Sequence, residues 1–236
     1  KRNWGPFADR SLVLSSNPHT YDALEWQVHG SFFEFRHLFS VLDYRRSWMD
    51  TEDGLTDRYL TAHSLNFMLG SWATVGVTET VLFGRESGFP DLQYVNPFSI
   101  YWVTNTNGEG VGNLMVGLQW KAYPFTKRVC LKGQVLIDDI QVDNEDMGDQ
   151  EPSHWGGDFA VLWLDPIALP FRNVLKLEYT YLSRWLYLVS RSCTEGGERY
   201  TYLRQSLGYE SNDGDRWGVS YSAVGQNWWA ATLGAS

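Results

Sequence analysis

Side chains alternate between apolar and polar along most of this chain. In 112–122 the alternation is nearly clean: Leu114, Val116, Leu118, Trp120 and Ala122 share one side of an extended segment, and Asn113, Met115, Gly117, Gln119 and Lys121 share the other. Successive strand residues point to opposite faces, so a period of two describes a sheet with one greasy flank and one polar flank. In 172–182 Leu175, Leu177, Tyr179 and Tyr181 oppose Val174, Lys176, Glu178 and Thr180. In 57–70 Tyr59, Thr61, His63, Leu65, Phe67 and Leu69 oppose Leu60, Ala62, Ser64, Asn66 and Met68, less cleanly. Such segments match the roughly 9–11 residues with which a tilted strand crosses a bilayer. A strand carries polar groups cheaply only if one face looks into water or a polar lumen. The pattern therefore predicts an all-β fold, an antiparallel transmembrane β-barrel with lipid outside and a hydrophilic interior.

Further strands are expected at 11–16, 23–30, 32–42, 74–84, 128–138, 157–164, 200–209, 216–222 and 227–233. That makes about 10–14 strands in all, in a single domain over 1–236. The segment 200–209 would bring Arg204 into the interior beside Lys176 and Glu178. Tyr94 to Phe98 reads as strand-like with a polar insertion at Asn96, and no helical stripe of useful length is found. Turn-forming stretches at 105–112, 143–157, 192–198 and 210–215 separate the strands. Some are short and some long, as in outer-membrane barrels, whose periplasmic turns are tight and whose external loops are extended.

Aromatic residues make up 16% of the chain, with 12 Trp and 13 Tyr. That bias suits interfacial girdles or sugar-stacking surfaces better than an ordinary soluble core. The formal net charge is −9 and no basic stripe is segregated, so nucleic acid is excluded as a partner. No apolar run reaches the roughly 18 residues of a membrane-spanning helix, but a barrel leaves no such peak. The start at Lys1 reads as a processed or truncated terminus. Cys130 and Cys193 have no metal-ligand spacing, and their pairing is left open. Asp143, Asn144, Glu145 and Asp146 could supply oxygen ligands to calcium, but the spacing and glycine of an EF-hand loop are absent, so a solvated acidic loop is expected, with no metal and no cofactor. His63 and Glu79 could form a base with its orienting partner, yet no G-x-S-x-G motif or reactive Cys stands by them. No enzyme is indicated, and His63 is expected as a hydrogen-bonded lumen residue.

In chain order, Trp4-Gly5-Pro6, Ser11 to Asn17, His63 after Arg58 to Ala62, Thr78-Glu79 before Phe83-Gly84-Arg85, Tyr94 to Phe98, Asp138-Asp139 and Glu178-Tyr179-Thr180 resemble the landmarks of the Wzi-like capsule assembly proteins. The resemblance spans nearly the whole chain. It implies an outer-membrane β-barrel, lectin-like and non-catalytic, that attaches or organises cell-surface capsular polysaccharide. Members tend to carry further strands before the Trp-Gly-Pro landmark, so a part of a larger barrel is the expectation. Outer-membrane lipid and other envelope protein chains are the further partners implied.

Saccharides present C–H faces that stack on aromatic rings and hydroxyls that planar polar groups hold. The candidate carbohydrate-binding residues are Arg85, Asn96, Asp138, Asp139 and Glu178 for the hydroxyls, and Tyr94, Trp102 and Tyr179, with Trp155, for stacking. Two blander readings stand beside this one: lumen charges that only pair with each other, and aromatic residues that only anchor at the interface. Adjacent strand residues face opposite ways, so only one of Asp138 and Asp139 can look into the lumen. The alternatives to a polysaccharide-binding barrel are a passive pore or structural barrel and a soluble glycoside hydrolase.

Overall fold

The computed structural model describes residues 3–7, 10–43, 45–46, 55–85, 89–107, 112–139, 153–188, 199–211, 213–224 and 230–235. The strands are β1 (Ala23–His29), β2 (Phe33–Val41), β3 (Arg45–Arg46), β4 (Leu55–Leu69), β5 (Ala73–Arg85), β6 (Asn113–Ala122), β7 (Val129–Asp139), β8 (His154–Leu164), β9 (Arg172–Leu182), β10 (Thr201–Tyr202), β11 (Gln205–Ser206), β12 (Gly214–Val224) and β13 (Ala230–Ala235). Two short helices, α1 (Leu92–Val95) and α2 (Tyr101–Asn107), lie between β5 and β6. Ten strands form one antiparallel path, β1-β2-β4-β5-β6-β7-β8-β9-β12-β13, with β3 on β4 off the path and β10-β11 as a separate hairpin. Among the described residues β1 and β13 each have one strand neighbour, so the sheet is not closed.

The connections alternate in length. Short ones at 30–32, 70–72, 123–128, 165–171 and 225–229 define one rim, and long ones at 42–54, 86–112, 140–153 and 183–213 define the other. The turn at 70–72 needs a left-handed backbone at its first residue, which is Gly70 with φ 58°.

The register fixes which residues share a face. Leu65↔Val77, Val77↔Leu118, Leu118↔Val135, Val161↔Leu177 and Leu177↔Val219 run across one side of the sheet. Ser64↔Thr78, Gln119↔Gln134, Asp158↔Thr180 and Ser220↔Lys176 run across the other. The apolar side is largely uncovered: Leu24, Val28, Phe67, Val77, Leu118, Trp163, Leu177, Trp217 and Val219 are all exposed there. Trp120 lies across Gly133 on this side, in the space where a Cβ would stand.

The polar side is concave and filled. Residues 3–7 and 10–21 lie along it, touching β1 through Trp4 Nε1 to Glu25 Oε1 at 3.3 Å and β2 through Arg36 over the Trp4 ring. The same segment reaches β7, where Gln134 Oε1 accepts the Leu12 N–H at 2.8 Å. Trp4, Leu12, Val13 and Leu14 are buried with Leu38, Leu60, Leu82, Met115 and Leu136 of the wall. Each contributes about 1.5–3 kcal/mol by leaving water. Segments 183–188 and 199–211 cover this strap from the far side: Tyr187 and Tyr200 donate their hydroxyls to the carbonyls of Leu12 and Val13 at 2.6 and 2.8 Å.

Three expectations are corrected. Residues 11–16 and 200–209 are not wall strands. The first joins the strap through a single bridge, Trp4↔Leu14, and the second is the small β10-β11 hairpin packed over it. Their alternation matched the period of a strand, but both spend their polar backbone groups on each other and on wall side chains. Tyr94 to Phe98 is a helix end and turn, begun by Asp91, whose carboxylate accepts the Gln93 N–H as an N-cap.

Candidate functional site

On the concave face β9 and β12 run side by side, and their register aligns Lys176 with Ser220, Glu178 with Gly218 and Thr180 with Arg216. Gly218 carries no side chain, so the wall opens opposite Glu178. A cleft of about 360 Å³ forms there, floored by these residues and flanked by Phe7 and Arg10 of the strap and by Tyr209. Lys176 Nζ and Glu178 Oε2 form an ion pair in direct contact, and Arg216 faces Glu210 at 3.7 Å. Beneath them Thr180 Oγ1 donates to Asp158 Oδ1 at 3.1 Å, and Asp158 is fully buried. Tyr209 is buried, which raises its phenol above the ordinary value. The cleft thus combines two aromatic rings with a carboxylate, an ammonium, two guanidiniums and three hydroxyls. That is the donor set that holds a polyhydroxylated ligand.

Of the sequence candidates, Glu178 is in this cleft. Asp138 is on the concave side, but its Oδ2 accepts the Tyr187 N–H at 2.9 Å and so anchors the covering segment. Asp139 ends β7, beyond a register shift between Ile137 and Asp139 that places it opposite His154. Arg85 ends β5, opposite Asp57. Tyr179 is on the outward face, with its ring 4.4 Å from Trp217. Trp155 is outward as well, 4.8 Å from Tyr181.

Tyr94, Asn96 and Trp102 sit on the helical hairpin, which packs on the outward face rather than in the interior. Tyr94 is buried against Phe83 and donates its hydroxyl to Asn105 Oδ1 at 2.8 Å. Asn96 closes α1 and accepts the Phe98 N–H on its own side chain. Trp102 is 60% exposed. The hairpin covers a polar island on the greasy face: His63 Nε2 meets Glu79 Oε2 at 2.9 Å, and the same carboxylate oxygen accepts the Tyr101 N–H at 2.9 Å. The Tyr101 ring stacks on His63 at 4.2 Å, and Thr61 bonds the Tyr101 hydroxyl at 2.9 Å. His63 is therefore an outward residue, not a lumen one.

The acidic loop 143–146 and Cys193 lie outside the described residues, and Cys130 is a buried thiol on β7. Phe7, Arg10, Tyr209 and Arg216 were not marked by the sequence. Arg216 opens the expected strand 216–222 and was findable by alternation, and Tyr209 ends the expected strand 200–209, whereas Phe7 and Arg10 stand in irregular segments without a period.

No family model and no curated protein sequence matches the chain. Its fold is similar to that of a solved β-barrel. That structure is Wzi, an outer membrane protein involved in group 1 capsule assembly in Escherichia coli and described as a carbohydrate-binding β-barrel; the TM-score is 0.63 and the identity 14%. The match covers 98% of this chain and 51% of that one, so the chain spans about half the length of the structure it resembles.

Proposed function

We propose that this chain forms part of the wall and lining of an outer-membrane β-barrel of the Wzi-like kind, and that it binds cell-surface polysaccharide without catalysis. The observation that carries the proposal is the polar, aromatic-flanked cleft at Glu178 on the concave side of a sheet whose other side is a band of exposed apolar residues. Likeness to a carbohydrate-binding outer-membrane barrel supports the same reading. A passive pore has less support, because residues 3–7, 10–21, 183–188 and 199–211 lie across the concave face.

The test is polysaccharide binding by the protein in detergent micelles, measured by calorimetry for wild type and for Glu178→Ala and Arg216→Ala. Loss of one charge-assisted hydrogen bond should weaken binding by about 1.5–3 kcal/mol. If wild type binds no polysaccharide, or if both variants bind as wild type does, the cleft is not the site.

A further inference from the structure

We infer that the α1-α2 hairpin is a membrane anchor whose outer side lies among the acyl chains of the bilayer, at the level of the interface. The inference rests on the outer-membrane reading and adds to it a lipid-contacting element that is not a wall strand. From 92 to 108 the sequence contains no Asp, Glu, Lys or Arg, in a chain that is 20% charged. Within that stretch the large apolar side chains turn outward: Leu92, Phe98, Ile100, Trp102 and Val103 are exposed. Apolar side chains gathered on one exposed side mark a surface that meets something other than water. The polar groups are arranged in the opposite sense, with their partners inside the hairpin. Thr104 and Thr106 donate their hydroxyls to the carbonyls of Ile100 and Trp102, four residues back, at 3.2 and 2.8 Å. Asp91 accepts the N–H and the side-chain amide of Gln93 at 3.2 and 3.1 Å, and Asn105 accepts the Tyr94 hydroxyl. The backbone N–H groups of Tyr94, Val95, Asn96 and Ser99 likewise end on carbonyls of the hairpin. A segment against hydrocarbon must satisfy its polar groups internally, and threonine hydroxyls returned to the preceding turn are one way a helix does so.

The placement of the hairpin agrees with its chemistry. The connection leaves β5 at Arg85 and folds back until Tyr101 meets Glu79, six positions and roughly 20 Å down the strand. The hairpin therefore lies against the outer face of the wall instead of standing above the rim. Beyond it the same face continues with Val77 on β5 and Phe67 on β4, both exposed. To the side, Phe98 stacks on Phe35 at 6.0 Å and approaches Trp26 at 6.4 Å, which joins the hairpin to exposed Leu24 and Val28 of β1. Hairpin and wall thus present one continuous apolar surface. With no cation in the stretch to hold a phosphate, the ligand is the acyl chain and not the headgroup, and a segment of this kind lies in the plane of the interface. Long connections are the external ones in outer-membrane barrels, so the leaflet is the outer one.

The experiment is tryptophan quenching on the full chain in vesicles of phosphatidylcholine that carries bromine on its acyl chains, close to the headgroup. Trp102→Phe subtracts Trp102 from the emission of the twelve Trp, and Trp163→Phe subtracts an exposed residue of the wall as the reference. Trp102 is 60% exposed, so the substitution leaves the packing of the hairpin in place. Each variant should lose a component that bromine quenches, and quenching by aqueous iodide should stay as in wild type. The loss in Trp102→Phe should be the same when phosphatidylglycerol is added, because only apolar contact holds the hairpin. A bromine-quenched component that Trp163→Phe removes and Trp102→Phe does not overturns the anchor and leaves the outer-membrane reading standing. In that case quenching of Trp102 by iodide means that water covers the hairpin, and no quenching by either agent means that protein does. If neither variant changes the bromine quenching, the outer-membrane reading falls with the anchor.

Discussion

Arg58 is wholly buried on the concave side, where its guanidinium meets Asp43 Oδ1 at 2.7 Å and the carbonyl oxygens of Arg199 and Thr201 at 2.5 and 2.9 Å. One side chain thus ties the wall to two segments that cover its interior. Replacement by Ala takes the guanidinium away from a part-buried carboxylate and two carbonyls and leaves a cavity in the interior, which costs about 3–5 kcal/mol. Denaturant unfolding of Arg58→Ala should show that loss, and Arg58→Lys should recover only part of it, because an ammonium cannot supply the planar fork. An Ala variant as stable as wild type would mean that the covering segments are held by other contacts.

Tyr101 gives a second test at the same scale. Burial foremost, with the nearby Glu79 carboxylate adding and the Thr61 hydrogen bond opposing, pushes its phenol up from 10.0 to about 12. The folded state favours the neutral phenol, so its contribution is complete below pH 10 and is lost as pH rises through 12. Absorbance of the phenolate should show Tyr101 titrating late, together with release of the helical hairpin, alongside the buried Tyr187, Tyr200 and Tyr209, which burial also pushes up. Tyr101→Phe should lower the phenolate absorbance gained near pH 12 by one tyrosine and leave the rest of the late titration in place.

The helical hairpin is the element that sequence periodicity did not reveal. Its wall beneath carries His37, His63 and Glu79 on the otherwise greasy face; Tyr101 covers His63 and Glu79, Tyr94 packs beside it on Phe83, and His37 lies against Trp26. The hairpin's own outward residues Leu92, Phe98, Ile100, Trp102 and Val103 are exposed and restore an apolar surface. Glu79→Ala removes the acceptor for Tyr101 N–H and the partner of His63, a loss of about 1.5–3 kcal/mol for a hydrogen bond to a charged group. Limited proteolysis should then cut within 92–107 sooner, while the strands keep their protection.

The contrast with the wall explains what could be read in advance. β6, β9 and β4 were readable because every side chain reports its face through a period of two. The helices of the hairpin are one to two turns long, too short for any period to emerge, and the short alternation of the strap at 11–16 is the same as that of a wall strand. Glu178 was found because it is a charged residue on the polar flank of an alternating, aromatic-rich strand, but Phe7, Arg10 and Tyr209 reach the cleft only through tertiary packing. Tyr179 shares the apolar flank with Leu175 and Leu177, so the alternation that placed Glu178 inward turned it outward, whereas the direction of Trp102 depended on packing.

At the scale of the whole molecule, the two faces of the sheet make opposite demands on their surroundings. Trp155 and Trp163 stand on the outward face of β8, eight positions apart, with Phe159 and Val161 between them. At about 3.3 Å per residue they are roughly 26 Å apart along the strand, close to the ~25 Å height of a barrel's lipid-facing band. Exposed Phe32, Trp72 and Phe125 join Trp163 toward the short-turn rim, and Tyr181 and Trp217 join Trp155 toward the other. If bilayer lipid meets this face, a cation placed between the two aromatic levels is penalised by about 2–4 kcal/mol, and the same cation on the concave face is not. Leu118→Arg should therefore depress folding into lipid vesicles by that amount, whereas Ser222→Arg, on the polar side of β12, should fold nearly as wild type. Equal yields for both variants, measured by the heat-modifiable mobility shift of a folded barrel in detergent gels, would mean that the apolar face is covered by protein instead of lipid.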